Sequence, residues 1–186
     1  MRANVWTVAA STLFLALIAV VLRLAWISDD AYITLRTVEN WVSGYGPVWN
    51  VGERVQTYTH PLWMMLLSLL RWLTGEHYYS TIFLGVACSL ISTALLVRLA
   101  GNAAAATAVL AILIWSRAFG DFSTSGLETP LVFLLAALLA TIAPSPLDPR
   151  HQIVQAELRD STESATSEAL RRLLWVSLLA GLDRKS

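Results

Sequence analysis

Charge is scarce in this chain. Of 186 residues, 13 are Lys or Arg and 13 are Asp or Glu, while 56% are hydrophobic. A soluble domain of this length rarely carries so little charge, and the balance points to a membrane protein. The two signs cancel, which leaves nothing to suggest a nucleic-acid partner. Cysteine is almost missing. Cys88 stands alone inside an apolar run, so it cannot form an internal disulfide and reads as a buried structural thiol. No zinc or iron–sulfur spacing, glycine-rich phosphate loop or GxSxG elbow is present.

What is there is a series of apolar runs. Residues 3–22 are uncharged, enough for a helix to cross ~30 Å of hydrocarbon. A signal peptide would have a shorter apolar core and a small-residue cleavage site. Arg23, Trp26, Asp29 and Asp30 follow instead, so a retained first span is expected, with Arg2 at its cytoplasmic end. Residues 78–97 are uncharged and can also span, and 101–116 and 130–143 give a third and a fourth crossing. Residues 61–73 ("PLWMMLLSLLRWL") contain Arg71 and reach only ~20 Å as a helix. Trp63 and Trp72 flank this run as interface anchors would, which favours a juxtamembrane helix over a span.

The expected fold is therefore all-α. It is a polytopic helical membrane protein with about four complete spans, a juxtamembrane helical external loop and a short incomplete C-terminal helix. Residues 1–143 form the transmembrane region, with an external loop at 26–77. Residues 144–170 form a polar cytoplasmic loop. In it, 153–159 suits a short amphipathic helix and "DSTESATSE" looks flexible. Residues 171–186 make an incomplete terminal helix, as a truncated chain would. In this order the loop after the first span and the loop at 117–128 lie on one membrane face.

The loop at 26–77 carries the chemistry. Residues 31–42 have helical period, with Tyr32, Leu35, Val38 and Val42 as a stripe suited to the membrane surface. Ser28 or Asp29 caps that helix, and Asp30 falls in its first turn, where the dipole favours an acid. The adjacent aspartates admit two readings. They are capping residues, or one of them is a general base for an acceptor hydroxyl or a ligand for a hard divalent cation. Arg36 and Arg54 have the fork geometry that grips phosphate, and lipid headgroups or Glu39 and Glu53 are their alternative partners. Tyr58, Thr59 and His60 could line a sugar pocket, and His60 could instead cap the helix starting at Pro61.

Taken in order, "DDAYITLRTVENWVSGYGPVWNVGERVQTYTHPLW" and then "SGLETPL" at Ser125 resemble the N-terminal part of bacterial GT-C polytopic glycosyltransferases, in the arabinofuranosyltransferase-like branch. The resemblance covers roughly the first 140 residues. It implies transfer of a sugar from a polyprenyl-phosphate donor to an acceptor hydroxyl on the non-cytoplasmic face. It makes Asp29 or Asp30 the base, with Asp29 slightly favoured as nearer the span, and gives Glu128 the second acidic position. It places the chain in a bacterial inner (plasma) membrane, multi-pass, with the active-site loop external. A cell-envelope glycan or protein is the implied acceptor. A divalent cation, Mg or Mn, on Asp30 is the cofactor expectation. Relatives of this kind are longer, so the competing expectation is a non-catalytic integral membrane protein or subunit that binds a polyprenyl lipid or a membrane partner.

Overall fold

The computed structural model describes residues 5–53, 55–143, 153, 156–163 and 165–169. The chain divides into two compact units, Met1–Ile142 and Ala143–Ser186. All regular structure among the described residues is helical.

Seven helices make up the first unit: α1 (Val5–Arg23), α2 (Asp29–Val42), α3 (Pro61–Thr74), α4 (Tyr78–Leu99), α5 (Ala103–Trp115), α6 (Arg117–Phe122) and α7 (Thr129–Ile142). Their limits follow from local chemistry. Ser28 caps α2 by accepting the Ala31 N–H, and Asn102 does the same for α5 with Ala105. Pro61 sits in the first turn of α3, and Gly75 ends that helix at φ +72°. At the start of α4 the Glu76 carboxylate accepts the N–H groups of Tyr78, Tyr79 and Ser80 at 2.8, 2.8 and 3.1 Å.

By length and composition α1 and α4, with 19 and 22 residues, can each cross a membrane. The apolar helices α3, α5 and α7 are shorter, at 14, 13 and 14 residues.

Helix α1 packs along α5, and α4 packs along α7 and touches α5. Leu17 and Val21 of α1 meet Leu110 of α5 and Phe119 of α6 in one core cluster. The buried face of α4 is small or weakly polar: Thr81, Gly85, Cys88, Ser89, Ser92 and Thr93. Small side chains there let backbone approach closely. A Cβ on Gly85 would lie 2.7 Å from the Ser123 carbonyl oxygen, so residues 123–126 press directly on α4. Between α4, α5, α6 and α7 lies an apolar cavity of about 360 Å³, walled by Leu96, Leu113, Phe119 and Phe133.

Helices α2 and α3 pair with each other, and their buried face differs from the expected stripe. Leu35 and Val38 pack with Trp63, Met64 and Leu67 of α3, Cys88 of α4 and Leu131 of α7, while Tyr32 is 50% exposed. A neighbouring helix thus takes the face that a membrane surface was expected to cover. Trp63, expected as an interface anchor, is fully buried, because its indole N–H donates to the Gly126 carbonyl at 2.8 Å. Trp72 is 71% exposed.

In the second unit, residues 156–163 and 165–169 are helical, where "DSTESATSE" was expected to be flexible. Arg159 pairs with Glu163 one turn on at 3.0 Å, and the Thr162 and Thr166 hydroxyls fold back onto carbonyls four residues earlier. The expected terminal helix at 171–186 lies outside the described residues.

Candidate active site

Residues 26–28 and 123–128 meet at one end of the first unit. The Trp26 indole N–H donates to the Asp121 carbonyl at 2.9 Å, and the Ser28 N–H donates to the Ser125 carbonyl at 2.8 Å. Gly126 makes the junction possible. It lies at φ +82°, and a Cβ there would sit 2.7 Å from the Ala31 Cβ of α2. With Trp63 holding its carbonyl from α3, the segment is fixed from three sides, and Glu128 follows two residues later.

Asp29 and Asp30 occupy the first turn of α2 and are exposed. Helical spacing puts them on different rows. Asp29 heads the row of Ile33 and Arg36, whose members are exposed. Asp30 heads the row of Thr34, Thr37 and Val38, all buried.

Below Asp30 runs a bridge. Thr34 Oγ1 lies 2.9 Å from His60 Nε2, and His60 Nδ1 lies 3.3 Å from Glu128 Oε2. The approach to Glu128 is an ion-pair contact, charged on both sides only when the ring is protonated. Thr59 Oγ1 also approaches Nδ1 at 3.3 Å. Although His60 holds the N-cap position of α3, its ring makes no capping bond.

The remaining predicted residues lie apart from this bridge. Arg36 donates to the Trp49 carbonyl at 3.1 Å and to Asn50 Oδ1 at 3.2 Å, and its guanidinium lies 4.5 Å over the Trp49 ring. It is engaged with the loop after α2 rather than with Glu39 or Glu53. Tyr58 packs partly buried against the α2–α3 core. Arg54 lies outside the described residues. Among the described residues no group of three or more His, Cys, Asp or Glu is gathered.

A second polar cluster sits at the far end of α2. Arg71 Nε and Nη2 donate to the two Glu39 carboxylate oxygens at 2.9 and 3.3 Å, and His77 Nε2 contacts Glu39 Oε2. The Arg71 hydrogen bond is the main cause holding the Glu39 carboxyl below its ordinary value, against partial desolvation and with help from His77. Neither this cluster nor the part played by Thr34 was apparent in the sequence. Glu39 and Arg71 are 32 positions apart and Thr34 and His60 are 26, so no local spacing links them.

These features define a helical protein with two helices of bilayer length and an acid–histidine contact at one end of its larger unit. Comparison with known proteins narrows the class. Over 111 residues the chain is 37% identical to a terminal beta-(1->2)-arabinofuranosyltransferase of Corynebacterium glutamicum, a match covering 55% of this chain and 16% of that protein. Over 126 residues it is 37% identical to the enzyme of the same name from Mycobacterium tuberculosis, covering 61% of this chain and 20% of that one. The chain thus carries an arabinofuranosyltransferase-like segment, in agreement with the residue pattern, and its match spans about a fifth or less of these relatives. No family model and no solved structure matches.

Proposed function

We propose that this chain contributes the acidic site of a membrane glycosyltransferase. The enzyme moves a sugar, a pentose by analogy with its relatives, from a polyprenyl-phosphate donor to an acceptor hydroxyl on the non-cytoplasmic face. One observation supports the reading: α2, which begins with Asp29 and Asp30, is linked to Glu128 at one end of a helical unit through Thr34 and His60. The resemblance to arabinofuranosyltransferases gives that meeting its chemical meaning.

In this mechanism Asp30 is the base, in place of the slightly favoured Asp29, because it lies one helical turn from Thr34 on the same row. It takes the proton of the acceptor hydroxyl as that oxygen attacks the anomeric carbon. The bond from that carbon to the phosphate oxygen breaks, and polyprenyl phosphate leaves with the electron pair. Glu128 receives hydrogen bonds from the sugar or acceptor and holds the attacking group in line. Asp29 stays in the first turn, where the dipole favours its charge. The apolar cavity between α4 and α7 has the chemistry for isoprenoid units of a donor lying in the same bilayer. Helices α1, α4, α5 and α7 cross the membrane in this reading, with α5 and α7 completed by flanking residues or by local thinning of the bilayer.

The test uses vesicles holding the chain and a radiolabelled polyprenyl-phosphate pentose, with a saccharide acceptor. Transfer is expected from the unaltered chain and from Asp29→Asn, with loss in Asp30→Asn and Glu128→Gln. Donor binding without transfer in every form would instead support a lipid-binding, non-catalytic protein.

A further inference from the structure

We infer that Thr34, acting through His60, is the positioning residue for Glu128, an inference that rests on the transferase reading above. Threonines on helices have a default use for their hydroxyls, which is to return them to the carbonyl four residues earlier. Thr12, Thr37, Thr81, Thr93 and Thr107 all do so. Thr34, 2% exposed on α2, reaches across to His60 Nε2. His60 likewise forgoes the cap that its position on α3 offers. Two residues with local alternatives are thus engaged with each other, and the other ring nitrogen of His60 lies 3.3 Å from both Glu128 Oε2 and Thr59 Oγ1.

The ring joins the two ends: Thr34 Oγ1 hydrogen-bonds Nε2 at 2.9 Å, and Nδ1 stands 3.3 Å from both Thr59 Oγ1 and Glu128 Oε2. Burial decreases along the bridge, from Thr34 within the helix pair to a His60 side chain 16% exposed and a Glu128 side chain 38% exposed. The anchored end is buried and the working end faces water. Oε2 of Glu128 is held, which leaves Oε1 to meet a sugar or acceptor hydroxyl. Thr34 never touches substrate. It fixes the ring, and the ring fixes the acid.

The test combines turnover with spectroscopy of the whole chain in lipid nanodiscs. Thr34→Val keeps the shape of the side chain and removes the hydroxyl. It should lower kcat by about 10- to 100-fold, with donor KM within about twofold, because the acid is misaligned while the donor still binds. Thr34→Ser restores the hydroxyl and should return kcat to near the starting value, which a packing role for the methyl group would not predict. In ¹⁵N-histidine spectra the His60 signals should move in both Thr34→Val and Glu128→Gln. The inference is overturned if those signals stay put in both variants, or if Thr34→Val turns over normally while Glu128→Gln does not. Failure of the transferase reading looks different: the unaltered chain makes no product, yet the His60 signals still respond to both substitutions. That result would leave the bridge standing as the device that orients Glu128.

Discussion

Gly126 is a position where one methyl group decides the geometry of the site. Its φ of +82° is costly for any residue with a Cβ, and that Cβ would fall 2.7 Å from Ala31. Strain and overpacking add, so Gly126→Ala should destabilise the first unit by about 3 kcal/mol. Thermal unfolding in detergent measures this, and an unchanged Tm would show that the contact with α2 is dispensable. Glu39 makes a prediction of the opposite kind, in which a charge matters and not a volume. Its carboxyl titrates below the usual 4.5 because Arg71 and His77 favour the ionised form. The pairing therefore contributes stability above about pH 4.5, and that contribution is lost as pH falls through the lowered value. Glu39→Gln should flatten the fall of Tm as pH drops below about 4.5. With 42% of the side chain exposed, solvent screens the pair and the effect is small. A Tm profile for Glu39→Gln parallel to that of the unaltered chain over this range would rule the clamp out.

At the scale of elements, the binding of α3 to the loop before α7 is the joint on which the site rests. Trp63→Phe retains most of the buried ring and deletes the N–H that satisfies the Gly126 carbonyl. An orphaned buried carbonyl costs about 1–3 kcal/mol, and amide exchange should quicken at residues 125–128 before it does in α4. Uniform exchange across both regions would mean that the loop is held by something else. The same joint marks how far the sequence could be read. The seams α1 and α4 are visible as uncharged runs of bilayer length, and α2 is visible from its cap and period. The burial of Trp63 is not visible. A tryptophan beside a short apolar run looks alike whether it faces lipid headgroups or a neighbouring backbone, and only the approach of Gly126 distinguishes the two. For the same reason the acids of the site were legible as residue types at family-like spacing, while the link between them was not. His60 reads as a cap until Thr34, distant in sequence, is seen beside it.

For the molecule as a whole, the decisive feature is the alternation of helix directions in the first unit. The segment after α1 and the end of α6 lie together, and the start of α5 lies beside the start of α1, where the Thr107 hydroxyl donates to the Trp6 carbonyl at 3.3 Å. If α1 and α4 cross a bilayer, the loop after α2 and the loop before α7 must face the same compartment, and the α4–α5 turn must face the other. A lipid-linked donor demands this arrangement, because both acids have to reach one leaflet. Single cysteines report it directly, since the native Cys88 is buried. Tyr45→Cys and Phe122→Cys, both at exposed positions, should react with an impermeant maleimide on intact cells. Ala104→Cys, exposed at the start of α5, should react only after permeabilisation. Should Ala104→Cys label together with Tyr45→Cys from outside, α4 does not cross, and a two-acid site at a membrane face has no basis. Should Tyr45→Cys and Phe122→Cys label from opposite sides, the acids are separated by the bilayer, and neither the Thr34–His60–Glu128 bridge nor a shared donor pocket can exist.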